Sequence, residues 1–215
     1  MKKEGKKSLY FSLFFIATFE IWTVLIRLID VKQIGPQNSS VGFATLNGFF
    51  HNLTGTNMML YTVTDWLGLV PIAVCLGFGI LGLIEWIKRK SILKVDFSIL
   101  ILGLFYIIVI AVYLLFEEVV INYRPVLING YLEASYPSST TTLVMCVMPT
   151  AIIQFNSRIK NKKFKTFICL IIAAFIAFMV IVRLISGVHW LTDIIGGILL
   201  STGLVGMYCF AIHLK

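Results

Sequence analysis

The sequence predicts an all-α, polytopic membrane protein: a six-transmembrane-helix bundle with short interfacial helices, forming a single domain over residues 1–215. Hydrophobic residues make up 59% of the chain and charged residues only 13%, and the mean hydropathy is +0.94. A soluble domain carries about a quarter charged residues, so most of this surface is suited to lipid. The apolar runs show no period of two, and only helices or closed barrels satisfy their backbone polar groups in lipid. These observations favour helices.

Six stretches are long and apolar enough, or nearly so, to cross a membrane, which takes about 20 apolar residues. They are residues 8–29, 66–86, 97–116, 138–155, 166–186 and 190–213. The fourth stretch is the shortest. The basic residues before the first stretch resemble the start of a signal peptide. However, the apolar run continues without a small-residue cleavage pattern, which predicts a retained helix.

Lysine and arginine residues set the predicted orientation, because cytoplasmic loops are enriched in them. Of the 18 basic residues, 14 lie before the first stretch, between the second and third, between the fourth and fifth, or at the C-terminus. In a six-helix bundle these regions share one side, so that side and both termini are expected to be cytoplasmic. The basic runs are interpreted as topology signals and contacts to lipid headgroups. Membrane lipids are therefore the expected partners, and nucleic acid is not.

The opposite, extracytoplasmic face is expected to consist of residues 30–65, residues 117–137 and a short turn around Gly187. The first of these segments combines Gly, Pro and Asn residues, which are typical of turns, with scattered apolar residues. This pattern predicts short helices that pack on the membrane surface and cover a lipid entrance.

The junction between the fifth and sixth stretches carries three residues suited to phosphate chemistry. Arg183 ends one apolar run, His189 opens the next, and Asp193 follows four residues later. On a helix, this spacing places the carboxylate and the imidazole on one face. A carboxylate bonded to one ring nitrogen fixes the tautomer and raises the basicity of the other nitrogen. The alternative is structural: Arg183 and Asp193 reach the membrane interface, and His189 caps a helix.

A second polar group is predicted on the same face, before the fourth stretch. Ser138, Ser139 and Thr140 follow a proline and open that stretch as the start of a helix. A helix N-terminus offers free backbone N–H groups to an anion. Arg124 and Arg183 can hold phosphate oxygens through paired hydrogen bonds. Together, the two groups predict a phosphate pocket at the extracytoplasmic face.

Three motifs resemble, in the same order, those of the type 2 phosphatidic acid phosphatase superfamily. RLISGVHWLTD at residues 183–193 matches the R-x5-H-x3-D core of the family's third motif. NYRP at residues 122–125 is similar to the Arg-Pro end of the first motif. YPSSTT at residues 136–141 aligns with the Pro-Ser-Gly-His-Thr sequence of the second. The six-helix layout also agrees, and the resemblance covers most of the chain.

The resemblance implies a two-step mechanism that needs no metal and no cofactor. His189 would attack the phosphorus and form a phosphohistidine, with Asp193 orienting its ring. Arg124, Arg183 and the backbone after Pro137 would stabilise the charged oxygens of the transition state. Water would then release phosphate. The sequence itself contains no cluster with metal-ligand spacing.

Three positions depart from the family pattern. Glu117 stands where the family has a lysine, Thr140 where it has the histidine that protonates the leaving group, and Val182 where a serine precedes the third-motif arginine. A threonine cannot supply a proton as imidazole does, and loss of a general acid costs about 10²–10⁴ in rate. Glu117, Glu118 or Tyr136 is the candidate substitute if a raised pKa keeps a carboxyl group protonated. Structural roles for these three residues are the alternative.

The expected function is hydrolysis of a lipid phosphate monoester or diphosphate at the extracytoplasmic face. Phosphatidic acid, phosphatidylglycerophosphate and polyprenyl diphosphate are candidate substrates, and the sequence does not choose among them. A diphosphate, as a good leaving group, needs less acid assistance than a monoester. Two alternatives are open: a lipid phosphotransferase on the same fold, and a catalytically impaired pseudoenzyme that binds lipid.

Overall fold

The computed structural model describes residues 3–214. Within this range, the regular secondary structure is helical. Eight α-helices follow one another there: α1 (Lys3–Leu28), α2 (Ala44–Thr54), α3 (Met58–Leu67), α4 (Leu69–Arg89), α5 (Phe97–Glu118), α6 (Ser139–Arg158), α7 (Lys162–Ile185) and α8 (Leu191–Ile212). In the same range, β structure is limited to three isolated bridges. The predicted all-α class is confirmed.

Five helical segments of the described chain are long and apolar enough to cross a membrane. They are Glu4–Leu28, Met58–Arg89, Phe97–Glu118, Lys162–Ile185 and Leu191–Ile212. The second of them comprises α3 and α4, which are joined at a turn at Gly68, so the apolar segment begins eight residues before the predicted start at residue 66. A protein with five such helices is an integral membrane protein.

The predicted fourth stretch is the exception, because α6 is not among the five apolar segments. Its 20 residues include polar side chains such as Thr150 and Gln154. Both are buried and hydrogen-bonded, the first to the carbonyl of Cys146 and the second to the carbonyl of Ser98. Ten residues of α6 are buried. A helix enclosed by other helices does not need an apolar surface, and the count of six crossings remains a prediction.

Close packing of α1 against α8 depends on small residues. The hydroxyl of Ser12 donates a hydrogen bond of 2.7 Å to the carbonyl of Gly203. A methyl group on Gly203 would lie 2.7 Å from Cγ1 of Ile16, and one on Gly206 would lie 2.9 Å from Cβ of Ser12. Small residues of this kind let helix backbones approach closely in membranes. This contact fixes the position of α8, whose N-terminal end forms part of the candidate site.

Two short helices cover one end of the bundle, as expected for residues 30–65. The side chain of Asn47 in α2 donates to the hydroxyl of Thr192 in α8 and accepts from its backbone N–H. The backbone N–H of Asn57, just before α3, donates to the carbonyl of Ser186 over 2.9 Å. Gly187 follows with φ of +65°, and its Cα faces the carbonyl of Gly55, so no side chain fits there.

The segment between α5 and α6 folds back on itself at the same end. Tyr123 and Ala134 form an antiparallel bridge, and the N–H of Arg124 donates to the carbonyl of Glu133 over 3.0 Å. The indole N–H of Trp190 donates to the carbonyl of Tyr123 over 2.7 Å. This hairpin-like loop, residues 119–138, is thereby attached to the α7–α8 loop, residues 186–190. We call this end of the bundle the site end.

Candidate active site

Three side chains from distant parts of the sequence meet at the site end. Arg124 comes from the loop of residues 119–138, Arg183 from the last turn of α7, and His189 from the α7–α8 loop. Nη1 of Arg124 lies 3.1 Å from Nε2 of His189. The three residues are 8%, 1% and 3% exposed, respectively. The structure therefore brings together a buried imidazole and two buried guanidinium groups.

The hydrogen bonds of His189 define its tautomer. A guanidinium group can only donate, so Nε2 accepts from Arg124 and carries a lone pair. Nδ1 then carries the proton and donates to the carbonyl of Ser135 over 3.2 Å. Burial, followed by the charges of Arg124 and Arg183, holds the pKa of His189 well below its ordinary value. The ring is neutral at neutral pH, with its nucleophilic nitrogen directed at Arg124.

Asp193 does not orient the ring by the hydrogen bond that its spacing predicts. Its Oδ2 lies 3.7 Å from Nδ1 of His189, beyond hydrogen-bond distance. His189 precedes α8, so the helical spacing of four residues does not apply to this pair. Instead, the carboxylate accepts from the backbone N–H of Trp190 over 2.9 Å and from the side chain of Asn122 over 3.2 Å. It caps α8, and the orientation of the ring is set by the Ser135 carbonyl.

The start of α6 faces the same region, as the sequence predicts. The N–H of Ser138 donates to the carbonyl of Asp193 over 3.1 Å, and the N–H of Thr142 donates to the carbonyl of Ser138. The N–H groups of the first turn have no partner within the helix, as in any helix start. In the described chain, the buried hydroxyl groups of Ser138, Thr141 and Thr142 also lack hydrogen-bond partners. The helix start thus offers donors to an anion.

The three candidate acids occupy different environments. Glu117 lines the same cavity as His189 and Thr140. Glu118 is exposed and lies outside the lining of that cavity. Tyr136 lines it too, but its hydroxyl is hydrogen-bonded to Thr23 of α1 over 2.7 Å, and burial raises its pKa. Of the three, Glu117 is the one whose acidic group is placed at the cavity.

Several neighbours of the site were not predicted from the sequence. Tyr61 and Thr64 lie one turn apart on α3, and Nη1 of Arg183 donates to the Thr64 hydroxyl over 3.1 Å. Asn122 contacts Asp193, and Ser135 contributes a backbone carbonyl. No sequence motif identifies these residues as neighbours of the site. Any polar residue between positions 30 and 65 would have been an equal candidate for a contact with the arginines. A backbone carbonyl carries no side-chain signal at all.

A cavity of about 830 Å³ extends from the site into the bundle between α4 and α5. Its polar end includes His189, Thr140 and Glu117, and its far end reaches Leu83. From Leu69 to Leu83, α4 rises about 21 Å at 1.5 Å per residue, and its lining side chains are almost all apolar. The cavity has the dimensions and polarity of a site for a lipid chain.

The described residues show no group of three His, Cys, Asp or Glu side chains that could hold a metal ion. The polar end of the cavity instead presents the imidazole of His189 and the hydroxyl groups of the first turn of α6, and the Arg124 guanidinium lies 3.1 Å from that imidazole. These are ligands for a phosphate group rather than for a cation.

Residues 99–214 match the PAP2 superfamily, over more than half of the chain and across every candidate catalytic and phosphate-binding residue. The chain belongs to the PAP2 superfamily. The resemblance of its three motifs to the type 2 phosphatidic acid phosphatases is therefore confirmed. A search among curated proteins found no match.

The fold of this PAP2 protein is also similar to that of a solved structure. That structure is described as the first transmembrane PAP2 type phosphatidylglycerolphosphate phosphatase, from Bacillus subtilis. The match has a TM-score of 0.65 and 17% sequence identity, and it covers 93% of this chain and 94% of the other. At this identity, the similarity shows a shared fold.

Proposed function

We propose that this PAP2 protein is a membrane lipid phosphatase that hydrolyses a lipid phosphate through a phosphohistidine at Nε2 of His189. One observation carries the proposal: His189 lines a largely apolar cavity, and its buried Nε2 is bonded to the guanidinium of Arg124. A phosphate at the polar end and a lipid chain between α4 and α5 match these two surfaces. Members of the superfamily are phosphatases, which supports the same conclusion.

Substrate binding and nucleophile release are coupled in this proposal. In the structure, Nη1 of Arg124 occupies the lone pair of His189. A bound phosphate oxygen offers the guanidinium a stronger, charge-assisted hydrogen bond. Arg124 then turns from Nε2 to the phosphate, and the lone pair becomes available to attack. Arg183 and the first turn of α6 bind the remaining oxygens.

In the first step, Nε2 forms a bond to phosphorus while the ester P–O bond breaks and the lipid oxygen leaves with the electron pair. The ring becomes cationic, since Nδ1 keeps its proton, and Asp193 lies 3.7 Å from that nitrogen. The leaving oxygen takes a proton from water or from Glu117. In the second step, water attacks phosphorus, the P–N bond breaks, and the lone pair returns to Nε2 as phosphate leaves. With a diphosphate substrate, the anhydride P–O bond breaks and a lipid monophosphate leaves, which needs less acid assistance than a lipid alcohol.

The distribution of basic residues supports an extracytoplasmic site. Helices α1, α5 and α7 end at the site end, and α6 and α8 begin there. The lysine-rich loop between α4 and α5 and the one between α6 and α7 therefore belong to the opposite end. By the positive-inside rule, that end and both termini are cytoplasmic. This alternation also supports six crossings, with α6 as the enclosed one.

A second candidate function is favoured by one feature of the site. Thr140 stands at the position that corresponds to the family's acid, and Arg124 occupies the lone pair of Nε2 of His189. Both features fit a pseudoenzyme that binds lipid phosphate without turnover. The two functions differ in their products rather than in their ligands.

The test is phosphate release from a panel of lipid phosphates and diphosphates by the purified protein and two variants. His189→Ala should abolish release and also the acid-labile phosphoenzyme that forms with labelled substrate. His213→Ala is the matched control, because this histidine lies at the far end of α8. Equal activity in His189→Ala and wild type would exclude His189 as the nucleophile. Lipid binding without release by the wild type would favour the pseudoenzyme, and label transferred to an added lipid alcohol would indicate a transferase.

A further inference from the structure

One aromatic side chain lies against both arginines of the candidate site. The ring centroid of Tyr61 is 4.7 Å from Cζ of Arg183 and 5.8 Å from Cζ of Arg124. These distances fall within the range of about 6 Å in which a guanidinium group is attracted to the face of an aromatic ring. Tyr61 therefore contacts two cations from separate elements, the loop of residues 119–138 and the last turn of α7.

The two guanidinium groups carry like charges in a buried site, and the carboxylate that lies 3.0 Å from Nε of Arg124, that of Glu133, is 41% exposed. The repulsion between like charges is weakly screened where water is excluded. Among the described residues, Nε of Arg183 has no hydrogen-bond partner, and its Nη1 bonds only to a neutral hydroxyl. The negative face of an aromatic ring offsets this repulsion without occupying the N–H groups that bind phosphate.

The helix that carries Tyr61 is fixed to the loop that carries His189. The backbone N–H of Asn57 donates to the carbonyl of Ser186, and the side chain of Asn57 accepts from the N–H of Leu60 at the start of α3. At the other end, α3 continues into α4. The ring is thus held by a rigid element at a defined position relative to the imidazole.

We infer that Tyr61 is a positioning residue that holds Arg124 and Arg183 as a pair of phosphate ligands through the face of its ring. The inference rests on the proposed function, since the phosphate is the ligand that the pair would bind. The ring keeps both guanidinium groups at the geometry of the transition state, so its loss affects transition-state binding more than ground-state binding.

The first test compares Tyr61→Leu and Tyr61→Phe with wild type. We expect Tyr61→Leu to lower kcat/KM by about 10- to 100-fold, as for a misplaced catalytic group, and Tyr61→Phe to keep most of the activity because the ring remains. The inhibition constant for orthovanadate, which adopts the geometry of the transition state, should rise more than that for inorganic phosphate. Trp66→Leu is the matched control, an aromatic residue on the same helix that is 70% exposed.

A second series keeps the shape of the ring and changes only its electrostatics. Phenylalanine with one, two or three fluorine atoms at position 61 has a progressively less negative face. Vanadate affinity should fall step by step along the series, which a purely structural ring would not produce. An unchanged affinity along the series, or equal loss in Tyr61→Phe and Tyr61→Leu, would overturn the inference.

The two proposals can fail separately. If the wild-type protein releases no phosphate from any lipid, binding of orthovanadate to the purified protein still reports on the arginine pair. Weaker vanadate binding by Tyr61→Leu than by wild type and Trp66→Leu would then support the positioning role without turnover. Vanadate binding that is equal in all three proteins would overturn it.

Discussion

Replacing Arg124 by glutamine tests both roles that the structure gives this side chain. Arg124 donates to Nε2 of His189, and its Nε lies 3.0 Å from a carboxylate oxygen of Glu133. In the transition state, the same guanidinium would bind a charged phosphate oxygen. Removal of one such donor costs about 10²–10³ in kcat, or about 2.7–4 kcal/mol. We expect a loss of this size in Arg124→Gln.

The same variant should change the pH dependence in a defined direction. The charge of Arg124 is the second cause, after burial, of the lowered pKa of His189. The acid limb of kcat/KM reports the free enzyme, so in wild type it should lie below the ordinary histidine pKa of 6.5. Without the charge, the pKa of His189 rises and the acid limb moves to higher pH. Arg124→Gln therefore loses more activity at pH 5.5 than at pH 7.5.

The assay is the pH profile of kcat/KM with one lipid phosphate, so that ionisation of the substrate is the same for both proteins. Nitrogen-15 titration of the imidazole provides a second reading of the pKa. Arg27→Gln is the matched control, because it removes the same charge from an exposed position at the end of α1. Activity of Arg124→Gln within about threefold of wild type would mean that no transition-state contact was lost. An unmoved acid limb would refute the electrostatic reasoning.

Three further predictions address the acid, the packing and the cavity. Thr140→His should speed poor leaving groups most, because it places an imidazole in the cavity that contains His189, and the rates of a monoester and a diphosphate measure this. Gly196→Ala should lower the free energy of unfolding by about 1–3 kcal/mol, because the added methyl carbon would lie 2.8 Å from Cζ of Tyr136. Thermal unfolding measures this loss. Gly77→Ala is the control, because a methyl group there meets nothing within 4 Å. Leu76→Trp should narrow the cavity and raise KM for long-chain lipids while a short-chain soluble phosphate reacts as before.

The fold was predictable where the helices meet lipid and less so where they meet protein. Apolar composition identifies α1, α5, α7 and α8 because lipid selects apolar side chains along most of their surface. In α6, Thr150 and Gln154 are hydrogen-bonded to α5, the first to the hydroxyl of Tyr106 and the second to the carbonyl of Ser98. Hydropathy therefore does not identify a membrane-crossing helix that is enclosed by other helices. The second crossing was predicted to start at residue 66, and hydropathy did not reveal that the helix α3 precedes it and joins α4 at a turn at Gly68.

The residues of the site were predictable where short sequence motifs identify them. His189, Arg183 and Arg124 belong to short motifs, and the structure places the first and last of them in direct contact. The role of Asp193 was different, because a helix begins between it and His189 and the carboxylate caps that helix. Spacing alone cannot reveal such a boundary. Nor can it reveal Tyr61, which approaches the arginines only because α3 is attached to the α7–α8 loop.

The contact between Arg124 and Nε2 bears on selectivity as well as on binding. A neutral ligand in the cavity would give the guanidinium no better acceptor than the imidazole, so the lone pair of His189 would stay occupied. An anionic phosphate gives it a charge-assisted bond and releases the nitrogen at the same moment. If His189 is the nucleophile of the proposed reaction, its lone pair is exposed only when a phosphate group lies beside it. A lipid with an uncharged head would then enter the apolar cavity without meeting a reactive imidazole.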